Sequence, residues 1–458
     1  MKIELRSQKI FDLWSKLTRG SINKKIFGAA LTVGILTALV KFISVGKELV
    51  VAWKFGTGDQ LDAFLIALVV PSFVINVVAG SFQSSLIPVY IKAREQEGRI
   101  TTQKLLSNIF IVATIFLIAI AIATVLMTPL YLPLLASGFS TEKLVLTERL
   151  IWVISPLILL SGIVSIWGGV LNAGERFALA AFSPATTPIA TIILLFVFPD
   201  WGIFALAIGL LLGSLVEIAI LGIGLRRQKV EIIPRWTGFD GNLTEVSRQY
   251  LPVVTGAFLM CSANLVDQSM AAMLPAGSVS ALGYANRVIA LPLTLITLAL
   301  GTAVIPYFSK TIAQKNWTQV ERTFRLYLKL IFVSTIPLTI AFIIASKLIV
   351  QLLFERGSFT AEDTNIVYPI QICYALQIPF YIAAIFVVRL INSLGINYFL
   401  AWGSAINLIF NIVGNYVLMA WLGVKGIALS TSLVYLISFI FLYVVTNKHL
   451  NKICLQNE

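Results

Sequence analysis

Six ionisable residues stand inside, or at the mouths of, long apolar runs of this sequence: Lys41, Lys47, Glu48, Asp62, Asp267 and Arg287. A charge in hydrocarbon is costly, so each must answer to a partner, a ligand or a pathway. Lys41 and Lys47 are six residues apart and Lys41 and Glu48 seven, which places all three on roughly one side of a helix. A cavity lined by Lys41, Lys47 and Arg287 would be basic and would suit a phosphate or pyrophosphate. Asp267, within Asn264-Leu265-Val266-Asp267-Gln268, would suit a coupling cation instead. Asn407 and Asn411, one helical turn apart, and Thr431 could add oxygen ligands to it.

Each of these residues also has a plainer reading, and residue type alone leaves the choice open. Asp62, Lys47 and Glu48 could sit at the outer interface, with Lys47 and Glu48 solvated or paired locally. Lys41 could snorkel toward the headgroups. Asp267 and Arg287 lie on adjacent runs joined by a short loop and could pair with each other. Buried amides glue helices together more often than they bind sodium. Glu217 and Lys329 lie near the ends of their runs and read as structural.

Other chemistry is poorly supplied. A single histidine, His449, effectively excludes a histidine metal site or a Ser-His-Asp triad. Cys261 and Cys373 fall inside apolar runs and Cys454 near the C-terminus, so no disulfide is expected. Nothing resembles a P-loop, so no nucleotide cofactor is expected. Energy would come from a Na+ or H+ gradient, the membrane potential or the substrate's own gradient. Sizeable outer loops bearing carboxylates, as a membrane glycosyltransferase would need, are missing; Glu142, Glu148, Glu355, Glu362 and Asp363 are the only candidates. An enzyme is therefore not expected.

The elements that must position these residues are membrane helices. Mean hydropathy is +0.91, with 58% apolar and 12% charged residues, which excludes an ordinary soluble globule. Runs long enough to cross the hydrocarbon lie near 26–46, 61–82, 105–126, 149–171, 180–198 and 201–224. More lie near 249–274, 280–305, 327–349, 365–390, 400–420 and 425–446. The second six repeat the first at an offset of about 220 residues, and such repeats form transporters with a cavity between two lobes. Ser85-Leu86-Ile87-Pro88-Val89-Tyr90 matches Ala303-Val304-Ile305-Pro306-Tyr307-Phe308, and Leu134 to Glu142 matches Leu352 to Glu362. At the same offset Lys47 and Glu48 correspond to Asp267, which predicts charges facing one shared cavity. The expected fold is an all-α polytopic membrane protein: about twelve helices in two parallel six-helix repeats around a central cavity.

The expected organisation is a basic N-terminal segment over 1–25, an N-lobe over 26–225, a linker over 226–248, a C-lobe over 249–446 and a tail over 447–458. Lys and Arg concentrate in the N-terminal segment and in alternate loops, which puts both termini in the cytoplasm. The net charge of +13 is mostly this topological signal, and no nucleic-acid partner is expected. Ile10, Phe11, Leu13, Trp14 and Leu17 give the N-terminal segment one apolar face, either to lie along the membrane or as part of a solvated arm. No cleavable signal peptide is expected. Prolines such as Pro71, Pro88, Pro252 and Pro292 would let spans bend.

Lys47-Glu48 through Phe55-Gly56-Thr57-Gly58, followed by Asp62-Ala63-Phe64, resembles the start of the MurJ/MviN lipid II flippases of the MOP superfamily. Pro71, Ser81-Phe82, Ile87-Pro88, Gly283-Tyr284-Ala285-Asn286-Arg287 and Leu353 to Thr360 continue the pattern over most of the chain. The resemblance implies that Lys41, Lys47 and Arg287 occupy the places of cavity arginines, two of them changed to lysine. Glu48 and Asp62 match acidic positions. Asp267, Asn407, Asn411 and Thr431 resemble a sodium site of some members, with an amide replacing one carboxylate. Two departures stand out: Ile75-Asn76 where those flippases carry arginine, and about twelve spans where they usually have fourteen. The implied function is a flippase of the bacterial inner membrane. It would move an undecaprenyl-pyrophosphate-linked saccharide, lipid II or a related polysaccharide unit, by alternating access. Implied partners are that glycan, the bilayer and cell-wall or polysaccharide synthases. The alternatives are a cation-coupled drug exporter of the same superfamily, a membrane glycosyltransferase, or a scaffold without transport activity.

Overall fold

The computed structural model describes residues 22–238 and 240–457. The basic segment over 1–21 and its apolar stripe lie outside the described residues. Among them there is no strand, only a lone antiparallel bridge between Arg356 and Phe359.

Among the described residues the first half has ten α-helices. They are α1 (Ile22–Phe55), α2 (Asp59–Val74), α3 (Gly80–Gln96), α4 (Arg99–Leu126), α5 (Thr128–Leu135), α6 (Thr141–Ile154), α7 (Leu157–Ala173), α8 (Phe177–Phe182), α9 (Thr186–Val197) and α10 (Phe204–Arg227). The second half comprises α11 (Gly241–Ala271), α12 (Ser278–Ala313), α13 (Trp317–Phe354), α14 (Ala361–Ala375), α15 (Ile378–Leu394), α16 (Tyr398–Leu422) and α17 (Val424–Asn457). Each apolar run expected to cross falls on a helix or a bent helix pair. Among the described residues nine helices are long and apolar enough to span a membrane, or ten if the pair α14–α15, bent by 41°, is one span. The full twelve is not reached by that measure.

Helix starts follow local chemistry. Asp240 accepts from the Leu243 amide at 2.7 Å to open α11, and Thr360 and Asp363 form a reciprocal capping box on α14. These caps shorten what the sequence suggested as a linker: α10 runs to Arg227 and α11 begins at Gly241, leaving 228–240. The expected tail over 447–458 continues α17 as far as Asn457, because no Gly or Pro follows Gly426 to stop it.

Helices of each half pack chiefly among themselves: α10 on α7 and α9 in the first, α12 on α15 and α17 on α16 in the second. The halves meet where α2 and α3 pack on α11 and where α1 and α2 approach α12. At the end away from the linker, the α1–α2 turn is bound into the second half. Ser358 N donates to Trp53 O at 2.8 Å, Ser358 Oγ to Lys54 O at 3.1 Å, and Thr57 Oγ1 to Asp363 Oδ1. Gly56, at φ +56°, lies against the Ser358 carbonyl so closely that a Cβ would collide with backbone. The glycine in the Phe55-Gly56 motif is thus required by contact between the halves. Residues 54–59, 136–140, 272–277 and 355–360 make up this far end; the linker and residues 96–98 mark the other.

Candidate functional site

The first charge cluster joins the halves. Glu48, on α1, takes Lys47 Nζ on Oε1 at 2.6 Å and Arg287 Nη1, from α12, on Oε2 at 2.7 Å. The Arg287 contact is an ion pair by distance without the alignment of a hydrogen bond. The Glu48 side chain is only 14% exposed, whereas those of Lys47 and Arg287 remain 23% and 32% exposed. Arg287 stacks near Tyr284, with Cζ 5.6 Å from the ring centroid, and the fully buried Tyr284 donates to Gly56 O at 3.2 Å. One carboxylate therefore holds two cations that stay partly open, one from each half. Lys41 is exposed and has no ion-pair or hydrogen-bond partner among the described residues. It stands about 9 Å further along α1 from Lys47.

Asp62 does not join this cluster. It is 1% exposed and receives Gly277 N and Ser280 N, each at 2.8 Å, so it caps the start of α12 from across the fold. Lys143 completes the arrangement, with Nζ 3.1 Å from Asp62 Oδ2, 2.7 Å from Asp59 Oδ1 and 3.9 Å from the Phe139 ring centroid. Every Asp62 oxygen is thus engaged in a latch at the far end. Lys143 was not singled out from the sequence. The available signal was a lone lysine in the first turn of α6, among loops poor in basic residues.

The second cluster lies wholly within the second half. Asp267 accepts on Oδ1 from Asn411 Nδ2 at 2.9 Å and Asn415 Nδ2 at 2.6 Å, and on Oδ2 from Thr431 Oγ1 at 3.3 Å. It borders a cavity of about 280 Å³ whose lining includes Gln268, Asn286, Tyr374 and Tyr435. Asn407 lines the same cavity but donates to Ser438 Oγ at 3.0 Å and not to Asp267. Asn415, fully buried, takes the place expected of Asn407. Asn407, Asn411 and Asn415 repeat every four residues along one face of α16, and that repeat was the signal for the third amide. Asp267 and Arg287 do not pair, and Asp267 does not face the Lys47–Glu48 pair as the repeat offset suggested. It projects toward α16 and α17, whereas Glu48 meets α12.

A sodium ion of the kind the resemblance to some family members implies would find suitable residues here. Carboxylate, amide and hydroxyl oxygens are the ligands a hard cation takes. Asn407 Oδ1, Asn411 Oδ1, Asn415 Oδ1 and Gln268 Oε1 are buried with no hydrogen-bond donor. Rotation of an amide about its Cβ–Cγ bond presents oxygen in place of nitrogen to Asp267. Among the described residues no group of three or more His, Cys, Asp or Glu could hold a metal, so any cation must rely on neutral oxygens around one carboxylate.

Ile75-Asn76, the noted departure from the flippase pattern, opens a π-helical turn, Ile75–Ala79, between α2 and α3. Its loosened carbonyls find other donors: Tyr250 OH reaches Val78 O at 3.2 Å and Ser81 Oγ reaches Val77 O at 2.5 Å. Tyr250 also stacks on Phe82, with ring centroids 4.4 Å apart. Asn76 is exposed and carries no charge.

An inward-facing multidrug MATE transporter of the MOP superfamily superposes with a TM-score of 0.77, over 93% of this chain and 98% of that one. At 13% identity the likeness is one of fold alone: this chain shares the polytopic helical architecture of that protein. Residues 51–457 match the family profile described as lipid II flippase MurJ. A structure described as lipid II flippase MurJ, inward closed conformation, aligns with a TM-score of 0.81 at 25% identity, covering 93% of this chain and 90% of that one. A probable lipid II flippase MurJ from Helicobacter pylori (strain ATCC 700392 / 26695) is 31% identical over 420 residues, 86% of this chain and 88% of its own. The chain belongs to the MurJ family.

Proposed function

We propose that this chain flips lipid II, a polyprenyl-pyrophosphate-linked saccharide, across the bacterial inner membrane by alternating access. The observation that carries this is the Lys47–Glu48–Arg287 cluster, in which cations from both halves share one carboxylate. Lys41, Lys47 and Arg287 against Glu48 leave an excess of two positive charges, the complement of a doubly ionised pyrophosphate diester. Arg287 offers a planar fork to phosphate oxygens, whereas Lys41 and Lys47 act as point charges. No bond is made or broken in such a step, so the role is transport and not catalysis.

With both termini and the linker in the cytoplasm, the latched far end is the outer one, and the headgroup enters from the linker side. Relaxation of the latch then exposes the sugar outside while the lipid tail stays in the bilayer. A sodium ion or a proton on Asp267 would couple the cycle through α11, which carries Asp267 and also packs on α3 of the other half. Synthases that supply or consume the lipid-linked glycan are the natural partners.

The test is complementation of a strain depleted of its lipid II flippase, scoring survival and outer-face lipid II together. Rescue by wild type and failure by a well-expressed Lys47→Ala/Arg287→Ala variant is the expected result. Rescue by that double variant would remove the proposed phosphate site. Failure of wild type would direct the search to another lipid-linked glycan.

A further inference from the structure

A second basic site lies in the first half, at the linker end. The end of α3, the start of α4, residues 174–176 and the first linker residues enclose a concavity of about 420 Å³. Arg94, Arg99, Arg176 and Lys229 line it, and no carboxylate does. The walls are fixed by hydrogen bonds to backbone. Arg94 Nη1 donates to Ala173 O at 2.9 Å, Arg99 donates to the Lys229 carbonyl, and Gln228 Nε2 donates to Gly174 O at 3.3 Å. Gln103 binds residue 231 in both directions, at 2.9 and 3.1 Å, which holds the linker against α4. Glu175 and Lys229 keep left-handed backbone, at φ 60° and 59°, a conformation non-glycine residues hold only where their surroundings enforce it.

The cations are incompletely answered. Glu95 meets Arg94 Nε at 3.6 Å from outside the lining, and Glu97 is engaged by Asn242 at 2.7 Å. The side chains of Arg176 and Lys229 have no ion-pair or hydrogen-bond partner among the described residues. The first turn of α4, a 28-residue helix, adds the positive end of its dipole at Arg99 and Thr102. Like charges gathered in a built concavity repel one another unless an anion joins them. Guanidinium forks match phosphate oxygens, and helix ends of spanning segments lie at headgroup depth.

We propose that this concavity binds a phosphate-bearing anion, either a phospholipid headgroup or free phosphate. It is built from first-half elements and the linker alone, so its occupancy does not depend on the transport substrate proposed above. An anion held by Arg99, Arg176 and Lys229 ties the linker to the first half.

The test uses the full chain purified in a neutral detergent. Binding is measured for dihexanoyl-phosphatidylglycerol against dihexanoyl-phosphatidylcholine, and for inorganic phosphate against chloride at constant ionic strength. Arg176→Gln/Lys229→Gln removes two side chains that hold nothing else, so folding is kept and is verified by melting temperature. Affinity for the anion is expected to fall about tenfold for each cation removed. It should be unchanged in Lys104→Gln, an exposed lysine outside the lining. Saturable binding of phosphatidylglycerol that phosphate does not displace identifies a headgroup site; binding of phosphate alone identifies a soluble anion. Equal affinities in wild type and the Arg176/Lys229 variant, or no saturable binding of either anion by wild type, overturn the proposal.

Discussion

Replacing Lys143 by alanine should open the far end of the protein. The Lys143 side chain is 7% exposed and its Nζ lies 3.1 Å from Asp62 Oδ2, while Asp62 itself is 1% exposed. At an effective dielectric constant of about 20, charges at that separation attract by roughly 5 kcal/mol. Removing one member of such a buried pair costs about 3–5 kcal/mol, because the other charge is left without its counterion. The Asp62 carboxylate would keep only the Gly277 and Ser280 amides. That cost falls on the latched state alone, since an Asp62 released from α12 would be hydrated. The ratio of latched to unlatched molecules should therefore drop by about two to four powers of ten. Spin labels at Glu142→Cys and Ala276→Cys, with Cys261, Cys373 and Cys454 replaced, would report the separation of the halves. Lys143→Ala should broaden and lengthen the distance distribution. Adding Asp62→Asn should recover part of the latched population, because the unpaired charge is then gone. An unaltered distribution together with an unaltered melting temperature in Lys143→Ala would refute the assignment of the latch.

Glu48→Gln removes the internal counterion of Lys47 and Arg287; lipid II should bind about tenfold tighter in a detergent titration, since each freed cation gains a charge-assisted partner. In the same assay Arg287→Lys should retain more affinity than Arg287→Ala but less than wild type, because the fork geometry is lost while the charge remains. Asp267→Asn should abolish any melting shift produced by sodium over potassium, and Asn415→Ala should diminish it; a sodium shift that survives Asp267→Asn would exclude this cavity as the cation site. Tyr250→Phe removes the donor to Val78 O and should cost about 1 kcal/mol, read as a lower melting temperature.

Charges in apolar runs were legible as sites because their cost in hydrocarbon does not depend on the fold. Their partners were less so. Glu48 and Arg287 could be marked separately, but only the crossing of α1 and α12 makes them a pair. Asp62 was open to two readings, a place at the outer interface or, by the resemblance, an acidic position alongside Glu48, and residue type did not choose between them. Yet the reversal at Gly56 carries it to the far end, where it serves amides more than 200 residues away in the chain. For the amides of α16 the helical repeat identified the face but not the level. Which of Asn407, Asn411 and Asn415 meet Asp267 depends on how α16 slides along α11, and no local propensity encodes that offset. The helix ends flanking the linker were hidden for a simpler reason, since polar composition masked the Asp240 cap that starts α11.

The linker's attachment bears on how the halves can move. Asn108 binds Thr237 and Gly238, Gln103 binds residue 231, and Asp240 leads directly into α11. Near its start α11 is fastened to α3 by Lys92–Glu245 at 2.9 Å and by the Tyr250–Phe82 stack; near its end it is fastened to α16 through Asp267. A rod clamped to a different body at each end must flex when those bodies turn. Between the clamps lie Pro252, which removes a backbone donor, and Gly256, beside which there is open space. Under the alternating access proposed above, the stretch from Pro252 to Gly256 inside α11 is the place to flex, and stiffening it would hinder that motion without touching a residue of either binding site.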